Sequence, residues 1–498
     1  KIYTSIDSRM QKYAEQSVEK QMAEIQKRFN KNWGKQNPWR DRSQKEMTTF
    51  IDETIQKSAQ YKALMKRFDG NRDSVYARLN KPHKMKVFDY KGMKDTVMSS
   101  IDSLKYTVRF LHCGFVAIEP QTGLVKAWVG DVNYNYWQYD KVLAKRQPGS
   151  TFKLFVYTQA IRSGMSPCDV RVDSATTWMT EENGKPVLWQ PQNASGVFSN
   201  EPLTLKSAMA RSVNSVAVQL NKELGPENVV ELAHRMGVES PVRPIPSICL
   251  GTEDVSLLEM VSAYSTIPNE GVRMKPIIVT RIEDKNGNVI YRNEPKGEKV
   301  LEYEEAFLVR EMLREGLVDE HGTSRRLNSY DIHGETDFGG KTGSTSNYSD
   351  AWYMGISPKL VAGAWVGGEA ERHEAVASVA GSLTIALGWQ RPDDLSKTVA
   401  TLMSKVMHDK KLARYRGRFP EPKQEISRTY DCSEIDLEEF EEENQEDSNA
   451  RGFFRRLFGR EKKERDLSAV DTAVPSKNRR EMRRERREER REERRRRR

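Results

Sequence analysis

The sequence has no long apolar run and few residues that bind metals. No run approaches the ~20 apolar residues that span a bilayer, and no signal-peptide pattern follows Lys1. The seven histidines and four cysteines form neither an HExxH motif nor a CxxC pair. We therefore predict no metal site and no cofactor, and either a soluble protein or a piece whose upstream part has been removed.

The scarce cysteines leave the question of a disulfide open. Isolated or buried thiols are the favoured interpretation, and one disulfide is possible, but the spacing does not say which pair would form it. The four positions are Cys113, Cys168, Cys249 and Cys432.

Most of the net positive charge of the chain lies in the C-terminal tail. Residues 477–498 contain 14 basic and 6 acidic residues, a net charge of +8, whereas the whole chain carries +10. The high pI therefore describes a tail and not a basic folded domain. It gives no support for a nucleic-acid groove, and no nucleic-acid partner is expected.

The periodicity of apolar residues divides the chain into three regions. Residues 1–104 are polar with a helical apolar stripe from Met10 to Phe29, and we interpret them as a helical linker region. Residues 105–410 alternate hairpin and helix patterns, which predicts a mixed α/β domain with an antiparallel sheet. Residues 411–498 form an extension, acidic and then arginine-rich, for which disorder is predicted.

Three short motifs occur in order within the middle region. One further Ser-x-x-Lys pattern, at Ser17, lies in the polar N-terminal helix and is interpreted as a chance match. The three motifs are Ser150-Thr151-Phe152-Lys153, then Ser212-Val213-Asn214, then Lys341-Thr342-Gly343 followed by Ser344 and Thr345.

The first motif contains a serine and a lysine that share one helix face. A serine hydroxyl needs a nearby base to act as a nucleophile, and Lys153 lies one turn after Ser150. Burial makes a lysine lose its charge readily, and a second cation such as Lys341 would lower its pKa further. An N-cap role for Ser150 is the plainer alternative.

The other two motifs supply partners for this pair. Ser212 lies at a predicted helix break and is expected to relay a proton, and Asn214 can hold a substrate amide or Lys153. Gly339, Gly340 and Gly343 are expected to leave a strand edge open for an extended peptide. The backbone N–H groups of residues 150 and 344 would then face one oxyanion.

These motifs, in this order, resemble those of the serine penicillin-recognising enzymes. Longer strings resemble the transpeptidase domain of class A, bifunctional penicillin-binding proteins over residues 105–410. They are RQPGSTFK (146–153), WQPQN (189–193), LGTEDVSLLEMVSAYSTIPNEG (250–271) and KTGSTSNYSDAW (341–352). The start, KIYTSIDSRMQKYAE, resembles the stretch after the glycosyltransferase domain, so we expect a fragment with that domain and a membrane anchor upstream.

The resemblance implies a fold, a reaction and a role for each motif residue. The fold would be a five-stranded antiparallel sheet flanked by helices, with an all-helical subdomain. Ser150 would be the acylated nucleophile, Lys153 its base, Ser212 the proton relay and Asn214 a substrate-binding amide. Lys341, which is also expected to be catalytic, would bind the substrate carboxylate and form half of the oxyanion hole together with Thr342 and Ser344. Gly343 and Thr345 are expected to bind substrate as well.

The implied activity is that of a peptidoglycan D,D-transpeptidase that acts on D-Ala-D-Ala stem peptides and is acylated by β-lactams. The resemblance also implies a place in the bacterial cell envelope, at the outer face of the cytoplasmic membrane, and other cell-wall synthesis proteins as partners. Leu154 departs from the pattern, because relatives have proline after the lysine. The alternatives are a β-lactamase or D,D-carboxypeptidase, and a non-catalytic penicillin-binding sensor.

The tail permits two interpretations of its own. A solvated, mobile segment is the favoured one, since charge runs rarely pack. The alternative is a tether to anionic lipid or polymer, because RGFFRRLFGR places Phe453, Phe454 and Phe458 among arginines.

Overall fold

The computed structural model describes residues 1–40, 45–182, 185–330, 332, 336–345, 349–368, 384–385, 393–435 and 437. The arginine-rich tail and the three phenylalanines of the possible tether lie outside these residues, so both interpretations of the tail stay predictions. Among the described residues, no helix is both long enough and apolar enough to cross a bilayer.

Helices make up much of the described chain. Short 3-10 helices occupy Gly149–Phe152, Pro246–Leu250, Arg325–Ser329 and Lys410–Tyr415. The α-helices, numbered α1 to α12 in chain order, are Ser8–Trp33, Phe50–Lys57, Ala59–Arg67, Arg72–Leu79, Ser100–Thr107, Lys153–Arg162, Leu205–Ala210, Asn214–Leu224, Pro226–Met236, Leu257–Ser265, Tyr303–Val318 and Asp393–His408.

The strands are mostly short, and the longest ones build a single sheet. Numbered β1 to β20, they are Ile2–Thr4, Trp39–Arg40, His83–Val87, Lys94–Met98, Leu111–Ile118, Val125–Val129, Lys145–Arg146, Val170–Val172, Trp178–Glu182, Lys185–Trp189, Pro202–Thr204, Val255–Ser256, Val272–Met274, Val279–Glu283, Val289–Arg292, Gly297–Lys299, Gly339–Ser344, Asp350–Ile356, Val361–Gly368 and Thr384–Ile385.

A five-stranded antiparallel sheet forms the centre of the fold. Its strand order is β17-β18-β19-β5-β6, so β17, which carries Lys341, is an edge strand. The hairpin predicted around residues 114–130 is β5–β6, and the two strands predicted within residues 338–368 are β18 and β19. The predicted fold class, a mixed α/β fold with an antiparallel sheet flanked by helices, is confirmed.

Apolar residues cover both faces of this sheet because alternate side chains point to opposite sides. Val116 and Ile118 pack into a cluster with α6, α8, α9, α10 and α11, whereas Phe115 and Ala117 pack into a cluster with α1 and α12. The apolar stripe predicted for the first helix faces the second cluster. Its members, each at most 1% exposed, are Met10, Ala14, Val18, Met22, Ile25 and Phe29.

The N-terminal region therefore contributes to two cores. Helix α1 packs on the central sheet, whereas Trp39, the helices α2 to α5 and Val108 form a separate cluster. The predicted boundary at residue 104 falls within the last helix of that separate cluster and stays a prediction.

The first part of the predicted C-terminal extension is packed. We call residues 416–435 the C-terminal strap. Cys432 forms a disulfide with Cys168, and Arg428 donates to the carbonyl of Met165 (3.2 Å) and to Glu304 (3.3 Å). The prediction of disorder for residues 411–498 is therefore wrong for the strap. The acidic and arginine-rich stretches begin only after Cys432, so they do not prevent the strap from packing. Cys113 and Cys249 are buried free thiols.

Candidate active site

The serine of the first motif lies in a tight turn against the edge strand. Ser150 belongs to the 3-10 helix Gly149–Phe152, and α6 begins at Lys153. Gly149 has φ +56°, and a Cβ there would lie 2.4 Å from the Ser344 carbonyl oxygen. A Cβ at Gly343 would lie 2.5 Å from the Pro148 carbonyl oxygen. The two glycines therefore let the backbone at Ser150 approach that at Ser344, which a side chain would prevent.

Lys153 extends from α6 to the second motif. Its ammonium nitrogen donates to the Ser212 carbonyl oxygen (2.7 Å) and to Asn214 Oδ1 (2.7 Å). Longer contacts of 3.3 Å reach Ser212 Oγ and the Val213 carbonyl oxygen. All four oxygens belong to the SxN motif, so this loop holds the amine of Lys153. Complete burial lowers the pKa of Lys153 to about 7.

Ser212 occupies the break between α7 and α8 that the sequence predicted. Its φ of +60° is in the left-handed region, which a non-glycine residue rarely adopts and which is characteristic of functional sites. In this conformation Ser212 Oγ accepts from Lys341 Nζ (2.8 Å) as well as from Lys153. One hydroxyl thus joins the two lysines.

Lys341 reaches this hydroxyl from β17 and is only 1% exposed. Burial, and then the charge of Lys153, hold the pKa of Lys341 well below its ordinary value. Because two ammonium groups on one hydroxyl repel each other, loss of a proton stabilises the pair. The arrangement can accept a proton on one amine and pass it through Ser212 to the other.

The motif residues after Lys341 differ in their exposure and in their contacts. Thr342 is 2% exposed, whereas Ser150, Ser212, Asn214 and Ser344 are partly exposed. Thr345 differs, because its hydroxyl contacts Ser349 Oγ (2.8 Å) and Asp350 Oδ2 (3.0 Å). Its side chain thus links the end of β17 to Ser349 and to the first residue of β18.

Two glycines predicted to leave the strand edge open have another role in the structure. A Cβ at Gly340 would lie 2.2 Å from the Tyr353 hydroxyl, and one at Gly339 would lie 3.1 Å from the backbone nitrogen of Arg314. Both positions face packed neighbours within the domain. Their small size therefore serves internal packing.

Sequence reasoning missed some residues that shape the site. Gly251 supports the serine turn, because it accepts from the Gly149 N–H (3.2 Å) and a Cβ there would lie 2.2 Å from the Gly149 oxygen. Asn193 accepts from the N–H of Asn214 at 2.9 Å. Both lie in the longer strings that carried the family resemblance, but no rule of spacing marks either one. Among the described residues, no group of three His, Cys, Asp or Glu side chains is placed to hold a metal ion.

Comparison with known families agrees with this geometry. Residues 113–367 match the penicillin binding protein transpeptidase domain, and residues 34–111 match the penicillin-binding protein middle domain. The first match alone covers half of the chain and contains the three motifs. The chain belongs to the penicillin-binding protein transpeptidase family. The family predicted from the motifs is therefore confirmed.

Individual penicillin-binding proteins are similar over long stretches. The chain is 36% identical to penicillin-binding protein 2D of Bacillus subtilis over 266 residues, which are 52% of this chain and 37% of that protein. It is 31% identical to penicillin-binding protein 1A of Aquifex aeolicus over 376 residues, 74% of this chain and 49% of that protein. The chain thus spans half or less of the length of these relatives.

Solved structures of penicillin-binding proteins share the fold. Penicillin-binding protein 1A from Haemophilus influenzae aligns with a TM-score of 0.60 at 19% identity, covering 85% of this chain and 67% of that one. The PonA1 protein from Mycobacterium tuberculosis in complex with penicillin V aligns with a TM-score of 0.51 at 21% identity. That alignment covers 78% of this chain and 99% of the PonA1 chain.

Proposed function

We propose that this chain is a serine-type peptidoglycan D,D-transpeptidase that works through an acyl-enzyme on Ser150. The observation that carries the proposal is the contact of Lys153 and Lys341 with the same hydroxyl, Ser212 Oγ, at 3.3 and 2.8 Å. The Ser150 turn lies against the strand that carries Lys341. These contacts support the assignment of Ser150 as nucleophile, Lys153 as base and Ser212 as proton relay.

The first half-reaction forms an ester. Neutral Lys153 takes the hydroxyl proton of Ser150, whose oxygen then attacks the carbonyl carbon between the two D-alanines of a stem peptide. The C–N bond breaks, Ser212 passes the proton to the departing nitrogen, and D-alanine leaves. A pKa of about 7 suits this role, because the amine is then partly neutral at neutral pH and still basic enough to accept a proton.

The second half-reaction restores the enzyme. An amine of a neighbouring stem peptide attacks the ester carbon and loses a proton to the lysine–serine relay. The ester C–O bond breaks, and the oxygen of Ser150 regains its proton. A new amide bond then joins the two stem peptides. A β-lactam would enter through the same first step, since its strained amide occupies the position of the D-Ala-D-Ala bond.

We assign substrate binding to the edge strand. Lys341, Thr342 and Ser344 would hold the terminal carboxylate, and the backbone N–H groups of Ser150 and Ser344 would hold the oxyanion. The close packing of Gly149 against the backbone of Ser344 supports this pairing of N–H groups. Gly343 permits that packing, and Thr345 contributes by fixing the turn.

We place the enzyme in the bacterial cell envelope, at the outer face of the cytoplasmic membrane. The disulfide between Cys168 and Cys432 supports an oxidising compartment. Partners in cell-wall synthesis and an upstream membrane anchor belong to the same proposal, because the matched segments cover only 37% and 49% of these two relatives.

Intact mass after incubation with a penicillin tests the nucleophile. The wild type should gain one adduct, Ser150→Ala should gain none, and Ser17→Ala should behave like the wild type. Ser17 is a matched control, because it starts the other Ser-x-x-Lys pattern but its hydroxyl donates to the Tyr13 carbonyl inside α1 (2.6 Å). An adduct that survives in Ser150→Ala would refute the assignment.

The fate of the adduct separates the three functions. A transpeptidase should keep the penicillin adduct and should transfer a stem-peptide acyl group to an added amine. Rapid loss of the adduct to water would indicate a β-lactamase. Release of D-alanine without transfer would indicate a carboxypeptidase, and a stable adduct without any D-alanine release would indicate a sensor.

A further inference from the structure

The first turn of α8 is capped by a residue from a distant loop. Helix α8 begins at Asn214, and the residue before it, Val213, has no side-chain group for the free N–H groups of the first turn. Asn193 supplies the acceptor, because its Oδ1 accepts from the N–H groups of Asn214 (2.9 Å) and Ser215 (3.1 Å). An amide oxygen in this position stabilises a helix start as a local N-cap would.

The other end of the same amide is fixed by a buried carboxylate. Asn193 Nδ2 donates to Asp173 Oδ1 at 2.7 Å, and Asp173 is 5% exposed. Asp173 also accepts from the hydroxyl of Ser215 (2.5 Å) and the N–H of Ser199 (2.9 Å). Burial would raise the pKa of Asp173, but these hydrogen bonds outweigh it and hold the pKa below its ordinary value. The charged carboxylate therefore determines which way the Asn193 amide points.

The loop also holds the side chain of Asn214. Asn214 Nδ2 donates to the Gln192 carbonyl oxygen at 2.9 Å, so its Oδ1 is turned towards Lys153, which donates to it at 2.7 Å. Residues 192 and 193 thus fix both the backbone and the amide of Asn214. The contact between Asn214 and Lys153 depends on them.

We propose that Asn193 is a positioning residue for the proposed acylation: anchored by Asp173, it orients Asn214 and, through Asn214, the base Lys153. This inference rests on the proposed function of Ser150 and Lys153. Asn193 belongs to the WQPQN string, and its side chain contacts the backbone of Asn214 and Ser215. Its effect on the reaction is therefore transmitted through the start of α8.

The first test is the rate of penicillin acylation in Asn193→Ala as a function of pH. Loss of alignment should lower the rate about 10- to 100-fold, the effect of a misplacement of about 1 Å. The midpoint of the pH profile should also move to lower pH, because the ammonium form of Lys153 loses an acceptor. A merely destabilised protein would lose active fraction without a change of midpoint. Ser195→Ala is the control, since the Ser195 hydroxyl contacts Val197 of the same loop (3.1 Å), and it should match the wild type.

A reciprocal exchange tests the anchor. Asn193→Asp places a second carboxylate against Asp173 and should lower the rate, whereas adding Asp173→Asn restores a donor–acceptor pair and should recover most of it. A double variant no faster than Asn193→Asp, or an Asn193→Ala variant with the wild-type rate and midpoint, would overturn the inference while leaving Ser150 as the nucleophile.

Hydrogen exchange provides a readout that does not need acylation. The N–H groups at the start of α8 should exchange faster in Asn193→Ala than in the wild type and in Ser195→Ala. Unchanged exchange of these N–H groups in Asn193→Ala would overturn the inference. If exchange is faster but Ser150→Ala still gains a penicillin adduct, the proposed function is refuted and the capping role of Asn193 remains.

Discussion

The pH dependence of acylation follows directly from the burial of Lys153. Burial lowers its pKa from 10.5 to about 7, and only the neutral amine can take a proton from Ser150. The neutral fraction is then roughly 0.9 at pH 8, 0.1 at pH 6 and 0.03 at pH 5.5. The acylation rate constant should therefore fall about tenfold from pH 8 to pH 6 and about 30-fold by pH 5.5.

Rapid mixing with a penicillin, followed by acid quench and intact mass, measures this rate constant. Circular dichroism at each pH controls for unfolding. Lys153→Arg should be slower by about 10²- to 10⁴-fold at pH 8 and should not share the wild-type pH dependence, since a guanidinium stays charged and cannot act as the base. A wild-type rate that is flat between pH 5.5 and 8, or that rises as pH falls, would refute the role of a neutral amine.

Three further predictions concern stability. For Lys153→Met, urea unfolding from pH 9 to pH 7 should show the wild type losing about 2 kcal/mol relative to the variant, because the folded-state pKa of Lys153 is depressed and the wild-type stability falls as pH falls in that window; equal pH slopes would contradict the depressed pKa. Gly149→Ala should lower the free energy of unfolding by about 2 kcal/mol or more and slow acylation, since the turn has φ +56° and a close carbonyl. Gly164→Ala, with φ +98° but open space among the described residues, controls for backbone strain, and equal losses would contradict the packing argument. Cys168→Ser should cost about 2–5 kcal/mol, measured by urea unfolding without reductant, because the disulfide closes a loop with a sequence separation of 264; a variant as stable as the wild type would refute this.

Much of the site was predictable because its chemistry requires particular residue types at short spacings. Ser150 lies in the 3-10 helix that directly precedes Lys153, and the expected break at Ser212 is present, with φ +60°. What spacing cannot convey is which partner each amine contacts. Lys153 contacts the loop at residues 212–214, because the SxN motif folds back onto α6. That contact depends on the tertiary fold.

The failures have physical reasons too. A glycine in a motif suggests an open edge, but Gly339 and Gly340 make room for a helix and a tyrosine within the domain. Substrate binding by Thr345 stays a prediction, and the contact that the sequence did not predict is the hydrogen bond from its hydroxyl to Asp350, five residues later. The predicted disordered extension started at residue 411, but the biased composition begins only after Cys432, and Cys432 is joined to the folded domain by its disulfide. Small or polar side chains carry little information about the direction in which they point.

The bond between Cys168 and Cys432 also sets an order of events in the life of the chain. Its second sulfur is made 264 residues after the first, so the covalent closure comes late, when nearly all of the catalytic domain has already been synthesised. Closure also requires an oxidant, which the cytosol does not provide. We therefore expect this disulfide to form only in an oxidising compartment, and the C-terminal strap to lack its covalent link in a chain that stays in the cytosol.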